Sequence, residues 1–137
     1  MLNKFFEKTS WITVFVIVFL VNFNALFITR LITDQDLSFI YLFWYFSTSM
    51  LVAFVTILGM YKIYYFTFIV MIFNFFAIVN MIYISVAQIQ GEWTGITGFI
   101  NYITFIFLGM GAGIAVQLVY NLKERNEIIQ RKKASGE

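Results

Sequence analysis

A glycine-rich segment at residues 109–113, with the sequence GMGAG, is the first feature that could carry chemistry. Glycine-rich loops hold phosphates with the spacing G-x-G-x-x-G or with a following Lys-Ser or Lys-Thr, and this segment has neither. It lies inside an apolar run and matches G-x-x-x-G from Gly109 to Gly113, a spacing that lets two helix backbones approach closely in a membrane. We interpret the segment as a helix-packing motif.

Two aspartates, Asp34 and Asp36, have the D-x-D spacing with which some glycosyl-transfer enzymes hold a metal-bound nucleotide. This spacing is common by chance. We interpret the pair as a solvated turn in which the Asp36 carboxylate caps the following helix. An alternative stays open, in which Asp34, Asp36 and Glu92 form an acidic mouth that attracts cations.

Residue types that usually perform catalysis are scarce. The chain has no cysteine and no histidine, so it has no disulfides, no thiolate metal ligands and neither the commonest general base nor the commonest metal ligand. No ionisable residue lies deep in an apolar run; Arg30 lies near the end of one, where its long side chain can reach the interface. We predict no enzymatic activity, no cofactor and no metal.

The composition predicts membrane-spanning helices, and these helices must position the residues named above. Of the 137 residues, 61% are hydrophobic and 12% are charged, whereas a soluble domain is about 45–50% apolar and about 25% charged. A crossing helix needs roughly 20 mostly apolar residues. We predict an all-α integral membrane protein in which residues 1–122 form the transmembrane part and residues 123–137 a charged tail. The predicted spans are residues 11–32, 37–60, 63–87 and 98–120.

The distribution of lysine and arginine predicts the orientation, because these residues favour the cytoplasmic side. In a four-span arrangement one side carries Lys4, Lys8, Lys62, Lys123, Arg125, Arg131, Lys132 and Lys133. The other side carries Arg30 alone. We predict an antiparallel four-helix bundle in a plasma membrane, most simply a bacterial inner membrane, with both termini in the cytoplasm and the first span retained as a signal anchor.

Small and polar residues form one stripe on each predicted helix. The small residues predicted to pack helices together are Ala53, Ala77, Gly109, Ala112 and Gly113. The polar residues predicted to lie within the membrane are Asn22, Ser49, Asn74, Asn80 and Gln117. Such stripes favour helix association through close packing and hydrogen bonds. They are also compatible with a polar cavity or a narrow pore.

The tail continues the helical spacing beyond the last span. Lys123 with Glu127, and Glu127 with Arg131, are opposite charges four residues apart. The basic cluster of Arg131, Lys132 and Lys133 is expected to contact lipid headgroups or a cytosolic partner. Nucleic acid is not an expected partner, because the membrane already accounts for a cluster of this size.

A short, very apolar chain with several spans and a charged tail at residues 123–133 resembles phage holins and phage-exclusion channels. This resemblance implies oligomerisation in the inner membrane and loss of its ion barrier, and it assigns no functional residue. Our main hypothesis is a non-catalytic subunit, scaffold or regulator of a membrane complex. The alternatives are a homo-oligomeric pore and a small transporter or lipid-carrier flippase. The expected partners are membrane lipids and a second copy or another membrane protein.

Overall fold

The computed structural model of the protein describes residues 10–34, 38–60, 63–87 and 93–134, and these residues contain no strand. They form four helices: α1 (Trp11–Ile32), α2 (Phe39–Met60), α3 (Tyr64–Ala87) and α4 (Thr94–Ala134). Each helix includes a stretch long and apolar enough to cross a membrane. A helix is the form in which such a segment pairs its own backbone groups without water. The prediction of an all-helical chain with four membrane-length helices is confirmed.

The end of α1 is stabilised by a local turn at Asp34. This residue adopts a left-handed backbone conformation with φ of 50°, which aspartate tolerates better than most residues. The Asp34 N–H donates to the Leu31 carbonyl at 3.2 Å, and the Thr33 hydroxyl donates to the Thr29 carbonyl at 3.0 Å. Orphan carbonyls at the helix end are thereby satisfied. The predictions for Lys4, Lys8, Asp36, Lys62 and Glu92 lie outside the described residues.

Helix α4 is much longer than a membrane crossing requires. It has 41 residues and begins at Thr94, before the predicted start of the span near residue 98. At 1.5 Å per residue it is about 62 Å long, twice the roughly 30 Å hydrocarbon core. The span and the tail as far as Ala134 are therefore one continuous helix.

The packing of the helices is uneven. Helices α3 and α4 share the most extensive interface, α1 packs mainly on α2, and α1 has little contact with α4. The contacts between α3 and α4 run in opposite directions along the two helices: Gly98 lies beside Ser85, Gly109 beside Phe73 and Gly113 beside Phe66. Helices α2 and α4 flank a groove.

The inward side of the helices combines small and polar residues with some large apolar ones, whereas many of the remaining large apolar residues face outward. The buried core includes Leu26, Val52, Ala53, Ala77 and Tyr102. Large apolar residues such as Phe43, Phe54, Phe75, Phe76 and Phe107 are more than half exposed. In water this surface would favour aggregation, but in a bilayer it faces hydrocarbon. The inward position of small residues follows from the close helix packing that membranes favour.

Candidate functional site

A polar centre lies between three of the helices. The Tyr102 hydroxyl of α4 donates to Oδ1 of Asn22 on α1 at 2.6 Å and lies 3.3 Å from Oδ1 of Asn74 on α3. Tyr102 and Asn22 are both 0% exposed. The three side chains, which are far apart in sequence, therefore form one cluster in which Asn74 is half-buried. We call this cluster the polar centre.

The hydrogen-bonding groups of the polar centre are largely satisfied. The Asn22 amide donates from Nδ2 to the Val18 carbonyl at 2.7 Å, which leaves Oδ1 as the acceptor for Tyr102. One phenol carries a single O–H, so it donates to only one amide oxygen at a time. The shorter contact, to Asn22, is the stronger bond. With its amide rotated by 180°, Asn74 would instead donate to the phenol oxygen, which can accept a hydrogen bond while its O–H bonds to Asn22.

The inward hydroxyl groups bind mostly to their own helices. The hydroxyls of Thr29, Thr56 and Ser85 donate to carbonyls three or four residues earlier, at 2.8–2.9 Å. Such a bond satisfies the hydroxyl group within its own helix, so that no hydrogen bond from another helix is needed. Of the predicted polar residues, Ser49 is fully buried and Asn80 is half-buried. Ser49 Oγ and Asn80 Oδ1 have no hydrogen-bond partner among the described residues.

The glycine segment contacts α3 of the same chain. A Cβ atom added at Gly109 would lie 2.5 Å from Cβ of Phe73, and one at Gly113 would lie 2.9 Å from Cδ2 of Phe66. A Cβ atom at Gly111 would have no atom within 4 Å. Ala112 is half-buried, whereas Ala53 and Ala77 are 0% exposed. The close approach therefore requires glycine at residues 109 and 113 but not at residue 111.

Gln117 joins α4 to the beginning of α3. Its Oε1 accepts from the backbone N–H of Phe66 at 3.3 Å, and its Nε2 donates to Oδ1 of Asn121 at 2.9 Å. Phe66 lies in the first turn of α3, where backbone N–H groups have no partner within the helix. The Gln117 side chain therefore caps α3 from the neighbouring helix.

Arg30 is folded inward, although the sequence suggested a side chain reaching the interface. It is 7% exposed, and its Cζ lies 3.9 Å from the ring centre of Tyr41. It also lies within hydrogen-bonding reach of the Tyr45 side chain. These residues line a cavity of about 320 Å³ together with Trp44, Gly95 and Phe99. We call this space the arginine cavity.

A groove between α2 and α4 lies beside the arginine cavity. Trp44 lines both the cavity and the middle of the groove, which has a volume of about 370 Å³. Val55 and Met110 line the middle and also the far part, of about 440 Å³, which ends at Gln117 and Asn121. The walls are mainly apolar, with Ser47 and Thr48 in the middle. We call the whole feature the α2–α4 groove.

The basic cluster lies on the projecting end of α4. The ring centres of Tyr65 on α3 and Tyr120 on α4 are 4.2 Å apart, and this contact lies just before the projecting part of α4. Arg131 and Lys133 are exposed, and α4 continues through residue 132, although the Lys132 side chain lies outside the described part. The helical tail is therefore open to solvent or headgroups rather than packed on the other helices.

Sequence reasoning missed Tyr102 and the inward position of Arg30. Tyr102, Ile106, Gly109, Gly113 and Gln117 follow a helical spacing of three or four residues, and all five are buried. The stripe predicted on this helix was defined by small and polar residues. It therefore left out Tyr102, which is a large aromatic residue on the same side. For Arg30, the available signal was the run of aromatic residues at the start of the next helix, which can cover a cation.

Comparison with protein-family models, with characterised protein sequences and with solved structures finds no match to this chain. Among the described residues, no group of three or more Asp, Glu, His or Cys could hold a metal ion. The polar centre contains a phenol and two amides, which bind and orient but do not supply a carboxylate or imidazole base.

Proposed function

We propose that this chain is a non-catalytic, multi-pass membrane protein that acts as a subunit, scaffold or regulator of a membrane complex. Its four apolar helices are compatible with a small membrane protein. The observation that carries the proposal is the projection of α4. From Tyr120 to Ala134 the helix extends about 21 Å, and its described side chains there are exposed.

The projecting helix offers an apolar edge for a partner. Leu118, Leu122 and Ile129 are exposed, and at about 100° per residue they lie on one side of the helix. Glu124 and Glu127 lie on the opposite side. An amphipathic helix with this pattern can pack on a helix of a second copy or of another membrane protein. Nucleic acid is not a proposed partner.

We propose that the four spans form an antiparallel bundle with both termini in the cytoplasm of a bacterial cell. The opposite directions of the contacts between α3 and α4 support the antiparallel arrangement. The excess of lysine and arginine on one side supports the orientation. In this topology the projecting part of α4 meets cytosolic domains of neighbouring proteins, and Arg131, Lys132 and Lys133 lie near anionic headgroups.

Paired variants test the role of the apolar edge. In a mild detergent, native mass measurement of the wild type is expected to give a defined complex containing a second copy or one membrane partner. Leu122→Glu with Ile129→Glu should reduce that complex to the monomer, because both charges would enter the interface. Glu124→Gln with Glu127→Gln is the matched control on the other side and should leave it intact. A wild type that is monomeric in every preparation contradicts the proposal.

A pore formed between copies is less well supported. The polar residues that motivated it, Asn22 and Ser49, are 0% exposed within the chain, and so is Tyr102. A pore shared by several copies needs polar groups on the outer surface, where the described chain carries mainly Phe, Leu, Ile and Val. Bilayer recordings that give discrete cation or anion currents from the purified protein would favour the pore instead.

A small transporter or lipid-carrier protein is the second alternative. The arginine cavity favours it, because a buried cation beside an apolar groove suits an amphipathic molecule. Flux of a labelled lipid across vesicles that contain the protein would distinguish this role from that of a scaffold.

A further inference from the structure

We propose that two copies of this chain associate side by side through the face of α4 that points away from α3. The inference rests on the proposed subunit role and names the partner, which is a second copy in the same orientation. Three observations carry it: a seven-residue repeat on the exposed side of α4, an open approach at Gly111 and an amide without a partner at Asn101.

The seven-residue repeat runs along the exposed side of α4, and we call it the outer seam. Its first series, with a spacing of seven residues, consists of Asn101, Leu108, Ala115, Leu122 and Ile129. Its second series, three residues after the first, consists of Thr104, Gly111, Leu118 and Arg125. Asn101 is half-buried and the other members are exposed. Two such series, mostly small or apolar, are the pattern with which two helices wind around each other in a left-handed coiled coil.

The outer seam lies on the opposite side of α4 from the contact with α3. Gly109 and Gly113 face α3, and Gly111 is two residues from each of them, about 200° around the helix. A Cβ atom at Gly111 would have no atom within 4 Å, and Ala115 is exposed one turn later. Small residues at this spacing let a second helix backbone approach closely in a membrane. Helix α4 therefore has two small surfaces, of which one is filled by α3 and the other is open.

The length of the outer seam favours a helix over lipid as its cover. From Asn101 to Ile129, α4 rises about 42 Å, which exceeds the roughly 30 Å hydrocarbon core. The seam therefore begins within the predicted span and continues on the side of the tail that carries the proposed partner edge. Lipid chains can cover only the part inside the hydrocarbon, whereas a second α4 running parallel to the first covers both parts.

Asn101 favours a second copy over a different protein. Its side chain has no hydrogen-bond partner in the part of the chain that the structure describes, and an amide without a partner is costly in hydrocarbon. Two copies with the same orientation place their Asn101 residues at the same depth. Because an amide carries both donors and an acceptor, the two side chains can bond to each other. A single asparagine in the first series of such a repeat fixes the register of two parallel helices.

Arg125 separates the two kinds of partner. It is exposed on the tail, and in a pair of copies it faces its own counterpart, a repulsion that water and salt reduce. A different protein with acidic residues at this level would instead be attracted to Arg125. Removal of this charge should therefore strengthen the association of two copies and weaken the binding of an acidic partner.

Cysteine crosslinking tests which side of α4 meets the second copy. The full-length chain has no cysteine, so a single introduced cysteine reports contacts between copies directly. In vesicles of the purified protein, oxidation should link Ala115→Cys chains and Leu122→Cys chains into dimers, because each residue faces its own counterpart. Val116→Cys and Lys123→Cys are the matched controls, one residue later and about 100° around the helix. These controls should remain mainly uncrosslinked.

The dimerisation constant, measured by energy transfer between labelled copies as lipid is added, tests the contacts themselves. Asn101→Val should weaken dimerisation about fivefold or more, because the amide pair is lost. Asn24→Val, at an exposed asparagine of α1, is its control and should change nothing.

A second pair of variants keeps the test decisive even if Asn101→Val fails to fold. Gly111→Ile adds bulk in the open space outside the chain, so it should prevent the close approach while the monomer stays folded. Val79→Phe adds bulk on the exposed side of α3 and should have no effect. Arg125→Leu should strengthen dimerisation about threefold, because it removes the repulsion between the two guanidinium groups.

Four results would overturn the proposal. The first is equal crosslinking from the seam cysteines and their controls, and the second is unchanged dimerisation in folded Gly111→Ile. The third is a weaker complex in Arg125→Leu, and the fourth is a seam cysteine that links to a different protein. The last two would mean that an acidic or another partner occupies the seam, and the subunit role would stand. A chain that is monomeric in every preparation would contradict both this inference and the subunit role.

Discussion

The Tyr102 hydroxyl lies 2.6 Å from Oδ1 of Asn22, so a hydrogen bond joins the interiors of α4 and α1, which are separated by 80 residues in sequence. Because α1 and α4 otherwise have little contact, this bond is an important polar link between these two helices. Both residues are 0% exposed, so bulk solvent does not compete for this bond.

Tyr102→Phe is expected to destabilise the protein by about 1–2 kcal/mol, because it leaves the buried Oδ1 of Asn22 without its donor. Equilibrium unfolding in mixed micelles measures the change. Asn22→Ala should have a comparable cost, and the double variant should cost less than the sum of the two single variants. Asn24→Ala is the matched control, because Asn24 is exposed and bonds to the Leu20 carbonyl of its own helix. If the double variant lost as much stability as the two single variants together, the hydrogen bond between Tyr102 and Asn22 would be contradicted.

Gly109→Ala should destabilise the protein, whereas Gly111→Ala should not. At residue 109 the added methyl would lie 2.5 Å from Cβ of Phe73, and the overpacking should cost about 1–3 kcal/mol. At residue 111 the space is open, and alanine should be neutral or stabilising by up to about 1 kcal/mol because of its higher helix propensity. Thermal unfolding measures both variants. A change in oligomer mass with unchanged monomer stability in Gly109→Ala would mean that the contact lies between copies.

Gln117→Leu should loosen the first turn of α3. The variant removes the acceptor of the Phe66 N–H, and a lost cap of this kind costs about 1 kcal/mol. Hydrogen exchange is the direct measurement, and the Phe66 amide should exchange about fivefold faster or more. Gln130→Leu on the exposed tail is the control. Unchanged protection of Phe66 would show that another group caps this turn.

Truncation after Leu122 should leave the stability of the membrane-embedded part almost unchanged. The described side chains beyond that residue are exposed, so their loss removes little buried surface. We expect the unfolding free energy to change by less than about 0.5 kcal/mol, whereas association through the projecting helix should be lost. A large fall in stability would mean that the tail folds back on the other helices.

The extent to which the sequence predicted the structure follows from the physics of each feature. Four apolar stretches of membrane length can hardly be anything but helices, so the element type was predictable. Gly109 and Gly113 indicated a close approach, but their spacing does not say which helix approaches, and Phe66 and Phe73 of the same chain were not foreseeable. The link between Tyr102 and Asn22 depends on tertiary packing, which one helical period cannot report.

The length of α4 and the position of Arg30 illustrate the same limit. A helix pairs its own backbone groups in apolar and in polar surroundings, so the change from apolar to charged residues near Asn121 does not end α4. Arg30 lies near the end of α1, where an interface position is usual. In the structure its Cζ lies 3.9 Å from the ring centre of Tyr41 on α2, a contact between helices that the sequence of one helix does not report.

Photo-crosslinking from the projecting part of α4 in intact cells tests the proposed subunit role most directly. A photoreactive residue at Ile129, on the apolar edge, should give one crosslinked species of defined mass that contains either a second copy or a single membrane protein. The same residue at Glu127, on the opposite side, should give only the uncrosslinked chain and lipid adducts. Equal and unspecific labelling from the two positions, or no protein crosslink from either, would contradict the account.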